Sequence, residues 1–192
     1  MKILIIDNYD SFTYNLFQYI GEIIGNEPIV FFNNKITKNM VNELMPDKIV
    51  ISPGPGTPYI ERDRGNCSEI IKAFYKSIPI LGVCLGHQIL AYTFKGRIIN
   101  SSEIMHGKCS KINIYNSEIF SGLSRKIIGM RYHSLMVERE TLPSCFNVIA
   151  DLDNGTIMGL NLKNYSVYGL QFHPESIGTA EGKKILRNFI LI

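Results

Sequence analysis

What the sequence lacks narrows it first. Across 192 residues no run of basic side chains occurs; 20 Lys and Arg are scattered among 17 Asp and Glu, for a net charge of +3. A nucleic-acid groove or a polybasic membrane segment needs clustered cations, so neither partner is expected, and the pI near 8.6 has no functional weight. The four cysteines, Cys67, Cys84, Cys109 and Cys145, stand far apart, without the close-set pairs of zinc or redox motifs. Free thiols in a reducing compartment follow. Long apolar runs are missing too: Met1-Lys2-Ile3-Leu4-Ile5-Ile6 is too short for a signal core or a membrane span and stops at Asp7-Asn8. Phosphate-loop and dinucleotide signatures, metal-ligand spacings, repeats and linkers are absent as well, and no cofactor is expected in this chain. Heavy use of Ile, Asn and Lys points to an AT-rich genome, bacterial or plastid, hence cytoplasm or plastid stroma.

What is present reads as one domain, 1–192, with enough apolar content (45%) for a single core. The first half alternates apolar runs with amphipathic stretches. Strands are expected at 2–6, 28–32, 48–51 and 79–83. Helices are expected at 11–24, with Asp10 or Ser11 as N-cap, at 37–44 behind Thr37, and at 67–75. Such alternation predicts a three-layer α/β fold with a mainly parallel central sheet flanked by helices, a flavodoxin-like core with ligands at the carboxyl ends of its strands. Short β runs at 111–115, 127–132, 147–150, 157–160 and 167–170 then predict a small antiparallel extension and a return to the main sheet. A closing helix over 179–192, capped by Thr179, would turn Ile185, Leu186 and Phe189 inward.

The strongest local signal is Gly82-Val83-Cys84-Leu85-Gly86, a buried strand running straight into a helix. It reads as the thiol form of a nucleophile elbow, in which flanking glycines permit a sharp turn and close packing. Cys84 would then sit at a helix N-terminus, where amides stabilise a thiolate and the Leu85 N–H can meet an oxyanion. Alone, the motif also fits a buried structural cysteine. Near the C-terminus stands His173-Pro174-Glu175. Alternate residues of an extended segment project to one side, and Pro174 biases His173 toward that conformation, so a carboxylate is held near an imidazole. The same tripeptide also fits a solvated turn. The third element, Ser52-Pro53-Gly54-Pro55-Gly56-Thr57-Pro58, has few conformations to lose and could offer the Gly56 N–H as a second oxyanion donor, or be a bare turn.

Together, Val83-Cys84-Leu85-Gly86-His87-Gln88, His173-Pro174-Glu175, the Pro53-to-Gly56 loop and Arg131-Tyr132-His133-Ser134-Leu135 resemble the class I glutamine amidotransferases of the Cys-His-Glu type. The opening Asp7-Asn8-Tyr9-Asp10-Ser11-Phe12-Thr13 and Met105-His106-Gly107-Lys108 are similar to the branch that serves chorismate-utilising synthases, those forming anthranilate or aminodeoxychorismate. The resemblance implies L-glutamine as substrate and, as partner in a hetero-oligomer, a synthase subunit that holds magnesium. It also implies a stand-alone subunit without a fused chorismate-handling domain. Cys84 would attack the glutamine amide, Leu85 and Gly56 amides would hold the oxyanion, His173 would move the proton and Glu175 would orient it. Gln88 and the backbone of Ser134 and Leu135 would grip the amino-acid end, with Gly54 and Pro55 lining the other side. Loops around Asp10, 106–108 and His133 are the expected docking face. One departure from the family pattern, Phe94-Lys95-Gly96, still leaves Gly96 as a left-handed helix stop. Competing readings are a γ-glutamyl hydrolase, a cysteine peptidase of this fold, and a non-enzymatic regulatory module.

Overall fold

The first strand shows why the chain layers as it does: Ile3 and Ile5 enter one apolar cluster while Leu4 and Ile6 enter a second, so this strand is buried on both faces. The computed structural model describes residues 1–101, 103 and 105–192. Its first half runs β1 (Ile3–Asp7), α1 (Thr13–Ile24), β2 (Ile29–Phe32), α2 (Lys38–Leu44), β3 (Lys48–Ile51), the short α3 (Glu61–Arg64), α4 (Cys67–Phe74), β4 (Ile80–Val83) and α5 (Leu85–Thr93). Then follow β5 (Ile98–Asn100), β6 (Lys108–Ile114), β7 (Lys126–Arg131), β8 (Leu135–Val137), β9 (Phe146–Asp151), β10 (Ile157–Leu162), β11 (Val167–Leu170) and α6 (Gly182–Leu191).

Among the described residues the main sheet has nine strands in the order β2-β1-β3-β4-β11-β10-β9-β6-β7. The five strands from β2 to β11 pair in parallel, and the pairs from β11 out to β7 are antiparallel. Leu16 and Ile20 of α1 join Ile185, Leu186 and Phe189 of α6 on one face, and Val41, Ile70, Ile89 and Leu90 of α2, α4 and α5 cover the other. The three-layer α/β expectation, with its antiparallel extension, is what the structure shows.

The differences lie at element ends and in the shortest strands. Helix α1 begins at Thr13 rather than at 11, with Phe12 in the cap position. Asp10 uses its Oδ2 on the Phe12 N–H (2.8 Å), and Asp7 Oδ1 takes the Thr13 hydroxyl (2.8 Å), so the carboxylates order the approach to the helix instead of capping it. Helix α6 begins at Gly182, because the Thr179 hydroxyl is engaged elsewhere: it accepts from the Met130 N–H at 2.9 Å and donates to the His173 carbonyl at 2.7 Å. Past α5 the left-handed residue is Lys95 (φ 79°), not Gly96, which instead closes on the Ala91 carbonyl at 2.9 Å. The ribbon of β5 and β8 and helix α3 were not expected; three or four residues carry too little periodicity to announce themselves.

Close packing of α5 onto the sheet rests on two glycines. A Cβ added at Gly86 would lie 2.4 Å from the Ile51 carbonyl oxygen, and one at Gly82 would lie 2.5 Å from the Gly86 carbonyl. Neither neighbour is a side chain that can swing away. The Gly86→Ala variant should therefore lose about 2 kcal/mol or more of folding stability, the cost of overpacking against fixed backbone, as read by urea denaturation. A loss under about 0.5 kcal/mol, the range of an ordinary surface change, would mean that α5 can move off β3 freely.

Candidate active site

Cys84 lies between β4 and α5 with φ 50° and ψ −100°, a backbone that side-chain-bearing residues seldom adopt. Its N–H is held by the Leu170 carbonyl at 2.7 Å and its carbonyl by the Gln88 N–H at 3.1 Å, so sheet and helix hold the turn from both ends. Helix geometry leaves the N–H groups of Leu85, Gly86 and His87 without intrahelical acceptors, a cluster of donors at the Cys84 end of α5.

The Pro/Gly loop meets this helix start. A Cβ at Gly54 would fall 2.9 Å from Leu85 Cδ2 and 2.6 Å from Asn8 Cβ, so loop and elbow are in direct contact. Gly56 has φ 90°, and Asp63 pins the following residue, its Oδ2 accepting from the Thr57 N–H at 3.0 Å. A cavity of about 450 Å³ opens at Pro55 and Gly56, bordered by Asn8, Tyr9 and Asp63.

His173 arrives from the chain just beyond β11. Its N–H bonds the Met130 carbonyl at 2.9 Å and its carbonyl takes the Thr179 hydroxyl, so the backbone is clamped before the ring is placed. The ring is then set by Glu175, whose Oε1 lies 2.6 Å from Nδ1. A carboxylate only accepts, so Nδ1 carries the proton and Nε2 is the free position. Exposures of 2% for His173 and 1% for Glu175 mark a desolvated pair. Burial disfavours the charged ring, but the reach and charge of the Cys84 sulfur, and then the Glu175 carboxylate, outweigh it and hold the pKa well above 6.5. The sulfur contact is too loose to close a hydrogen bond, since Nε2 is buried without a partner; such bonds often tighten only around substrate. Phe12 and Tyr132 cover the imidazole edge-on, with centroids at 5.9 and 4.9 Å.

Gln88 and Leu135 come together as expected, and the detail narrows their use. Gln88 Nε2 donates to the Leu135 carbonyl at 3.0 Å and to Gln171 Oε1 at 3.1 Å, which commits both of its protons within the protein. The Leu135 carbonyl also takes His133 Nδ1 at 2.9 Å, and the Ser134 carbonyl takes the Ser101 N–H at 2.8 Å. Neither carbonyl is therefore the simplest grip for a ligand. Since 97–138 and 101–134 are bonded pairs, Leu135 opposite Asn100 turns its N–H away from β5, toward Gln88. Gln171 is the residue that the sequence reading missed: fully buried, it donates from Nε2 to Cys84 Sγ at 3.7 Å. Part of the signal was available, because Gln171 and His173 are alternate residues just past β11; the expected extended run stops there, since Pro174 and Glu175 form a turn that brings the carboxylate back to the ring. Phe12 and Tyr132 lie within the family-like segments 7–13 and 131–135, but nothing in sequence marked them as covers of the imidazole.

A larger cavity, about 910 Å³, lies beside 113–126 and is lined by Tyr115, Glu118, Phe120 and Lys126. It holds no cysteine or histidine, so chemistry, not volume, decides where the site is.

The class-I glutamine amidotransferase family model matches residues 4–192. The chain belongs to that family. This amidotransferase is 50% identical to a Bacillus subtilis protein named aminodeoxychorismate/anthranilate synthase component 2, with 98% of this chain and 95% of the relative covered. It is 46% identical over its whole length to the bifunctional protein TrpGD of Thermotoga maritima, of which it spans only 32%. Among solved structures, a putative GMP synthase subunit from Thermoplasma acidophilum superposes with a TM-score of 0.87 at 27% identity, covering 99% of this chain and 92% of that one. Among the described residues of this amidotransferase no helix is long and apolar enough to cross a membrane.

The His173 shift predicts a pH signature. A raised folded pKa means that the stability gained from its protonation is fully present below about 6.5 and is lost as pH rises through the folded midpoint. NMR titration of the ring should show a midpoint above 6.5 that moves down in Glu175→Gln and in Cys84→Ala. An unchanged midpoint in both variants would mean that neither partner sets the charge on this ring.

Proposed function

We propose that this chain is the glutaminase component of an anthranilate synthase, which hydrolyses L-glutamine through a thioester on Cys84 and delivers ammonia to a chorismate-utilising synthase subunit. The observation that carries the reading is the convergence of a left-handed Cys84 with a clamped His173–Glu175 pair. In the mechanism, the Cys84 thiolate adds to the side-chain amide carbon of glutamine, and the N–H groups of Leu85 and Gly56 hold the oxyanion. Nε2 of protonated His173 gives its proton to the departing nitrogen; ammonia leaves and the thioester remains. His173 then takes a proton from water as it attacks the thioester, releasing glutamate and regenerating the thiolate and the protonated ring. Glu175 holds the ring through Nδ1 throughout. Gln88, with both protons committed, offers its Oε1 as an acceptor for the α-ammonium of glutamine; the Leu135 N–H and the Ser134 hydroxyl are the matching donors. Gly54 and Pro55 form the opposite wall.

Ammonia free in neutral water becomes ammonium and loses its nucleophilicity, which is the chemical reason for a partner synthase, where magnesium would also belong. A specific observation supports a second acceptor, because the Bacillus subtilis relative carries both synthase names. One chain serving tryptophan and folate precursors is therefore the alternative, in the cytoplasm or a plastid stroma.

Two assays test this with the reconstituted complex. Cys84→Ala should lower glutamine-dependent product formation by about 10³-fold or more, the usual cost of a triad member, while the same complex supplied with ammonium at alkaline pH keeps working. Loss of the ammonia-driven reaction in an assembled complex would sink the two-site model. Glu175→Gln should cost less than Cys84→Ala, and an equal loss would give Glu175 more than an orienting role.

A further inference from the structure

Two runs of hydrogen bonds meet at the Leu135 carbonyl, one from Arg131 through His133 and one through Gln88 and Gln171 to the Cys84 sulfur, and the second takes its direction from that carbonyl. A guanidinium only donates, so Arg131 Nε meeting His133 Nε2 at 3.0 Å makes that ring nitrogen an acceptor. Burial, and then the Arg131 charge, push the His133 pKa down to about 4, so the ring is neutral and its proton is on Nδ1. Nδ1 therefore donates to the Leu135 carbonyl, 2.9 Å away. That oxygen can only accept, so the end of the Gln88 amide that reaches it at 3.0 Å is the NH2. The second proton of this NH2 meets Gln171 at 3.1 Å, which places the Gln171 oxygen there and its own NH2 toward Cys84 Sγ at 3.7 Å.

We infer that Gln171 is a further catalytic residue, whose side-chain N–H is aimed at the Cys84 sulfur to stabilise the thiolate, while Gln88 is the positioning residue that locks the amide in that sense and His133, held by Arg131, anchors the Leu135 carbonyl on which Gln88 is oriented. A buried amide turned the other way would set an oxygen against the anion. The Leu135 carbonyl, which can only accept, removes that alternative at Gln88, and the Gln88 NH2 then removes it at Gln171. The two amides are buried, so the donation from Gln88 to the Gln171 oxygen polarises the Gln171 N–H toward the sulfur. Gln88 is the junction: one NH2 holds both the Leu135 loop and Gln171, so the part of the site assigned to the amino-acid end of glutamine is joined mechanically to the nucleophile.

The inference rests on Cys84 being the nucleophile, and the experiment separates the two. Alkylation by iodoacetamide at neutral pH is followed cysteine by cysteine with mass spectrometry, using exposed Cys109 as internal reference. The variants are Gln171→Met, of similar length without a donor, and Gln171→Glu, which still accepts from Gln88 but faces sulfur with oxygen. The groups that face Cys84 from other elements, His173 and the amides at the start of α5, stay in place in both. Alkylation of Cys84 should slow by about 10-fold or more with the Cys109 rate unchanged, and glutaminase kcat should fall about 10- to 100-fold with KM within about threefold, as for loss of a charge-assisted hydrogen bond made to the reacting atom.

A folded Gln171→Met protein whose Cys84 reacts at the wild-type rate overturns the inference. If both Gln171 variants fail to fold, Gln88 decides: Gln88→Met removes the donor that fixes the Gln171 oxygen and should slow Cys84 alkylation relative to Cys109, whereas a wild-type rate in a folded Gln88→Met protein overturns the inference. Wild-type Cys84 reacting no faster than in His173→Ala would instead overturn the nucleophile reading itself, and this inference with it.

Discussion

The backbone of Cys84 is the constraint on which the rest depends. A non-glycine residue at φ 50° costs roughly 1–3 kcal/mol and persists only where its surroundings over-determine it. Here they do so from both sides: the Leu170 carbonyl fixes the Cys84 N–H, and Gly82 and Gly86 bring strand and helix so close that an added methyl group would overlap backbone. The turn leaves the sulfur at the carboxyl end of the parallel strands, where β11 neighbours β4. Gln171 and His173 follow β11 directly. Strand pairing therefore brings the three side chains together with no long loop involved.

Histidines of one chemical type are driven to different states by their neighbours. His173 sits beside a carboxylate and a sulfur and is held toward the charged form; His133 sits beside Arg131 and is held neutral, with its pKa down at about 4. His87 is buried completely with neither ring nitrogen bonded, and burial pushes its pKa to about 3. One ring is held toward its charged form beside the Cys84 sulfur, another anchors the Leu135 carbonyl, and the third fills the contact between α5 and β11 at Gly169. Sequence set His173 apart through Glu175 two residues on; what it could not show is that burial and Arg131 hold His133 neutral and that burial does the same to His87.

How much was legible follows from the range of each signal. Strands buried on both faces declare themselves as continuous runs, so the sheet and its parallel core were readable, as were the elbow and the His-Pro-Glu segment, whose spacing encodes geometry directly. The Thr37 cap was readable for the same reason: its hydroxyl bonds the Met40 N–H three residues on, a local event. The Thr179 cap was misread because its hydroxyl is claimed by Met130, 49 residues distant, a demand no window of sequence contains. Likewise, Gln88 could be matched to a substrate grip by resemblance, but only the fold shows that Leu135 and Gln171 consume both of its protons.

The enclosure of the centre bears on why, under the proposed function, its activity would belong in a complex. Cys84 is 7% exposed, and the rings of Phe12 and Tyr132, stacked on each other at 5.2 Å, cover the imidazole that would release ammonia. Water excluded from that side cannot protonate the product, and desolvation strengthens the Glu175–His173 interaction. The same cover narrows the way in. Tyr132 reaches outward to exposed His106, and Phe12 is placed through the half-buried Asp10, whose carboxyl burial pushes toward its neutral form. The groups that shield the reacting atoms are thus tied to residues at the surface. Under the proposed division of labour, the synthase that receives the ammonia would meet this edge of the molecule, where the two rings that cover the imidazole connect to the surface.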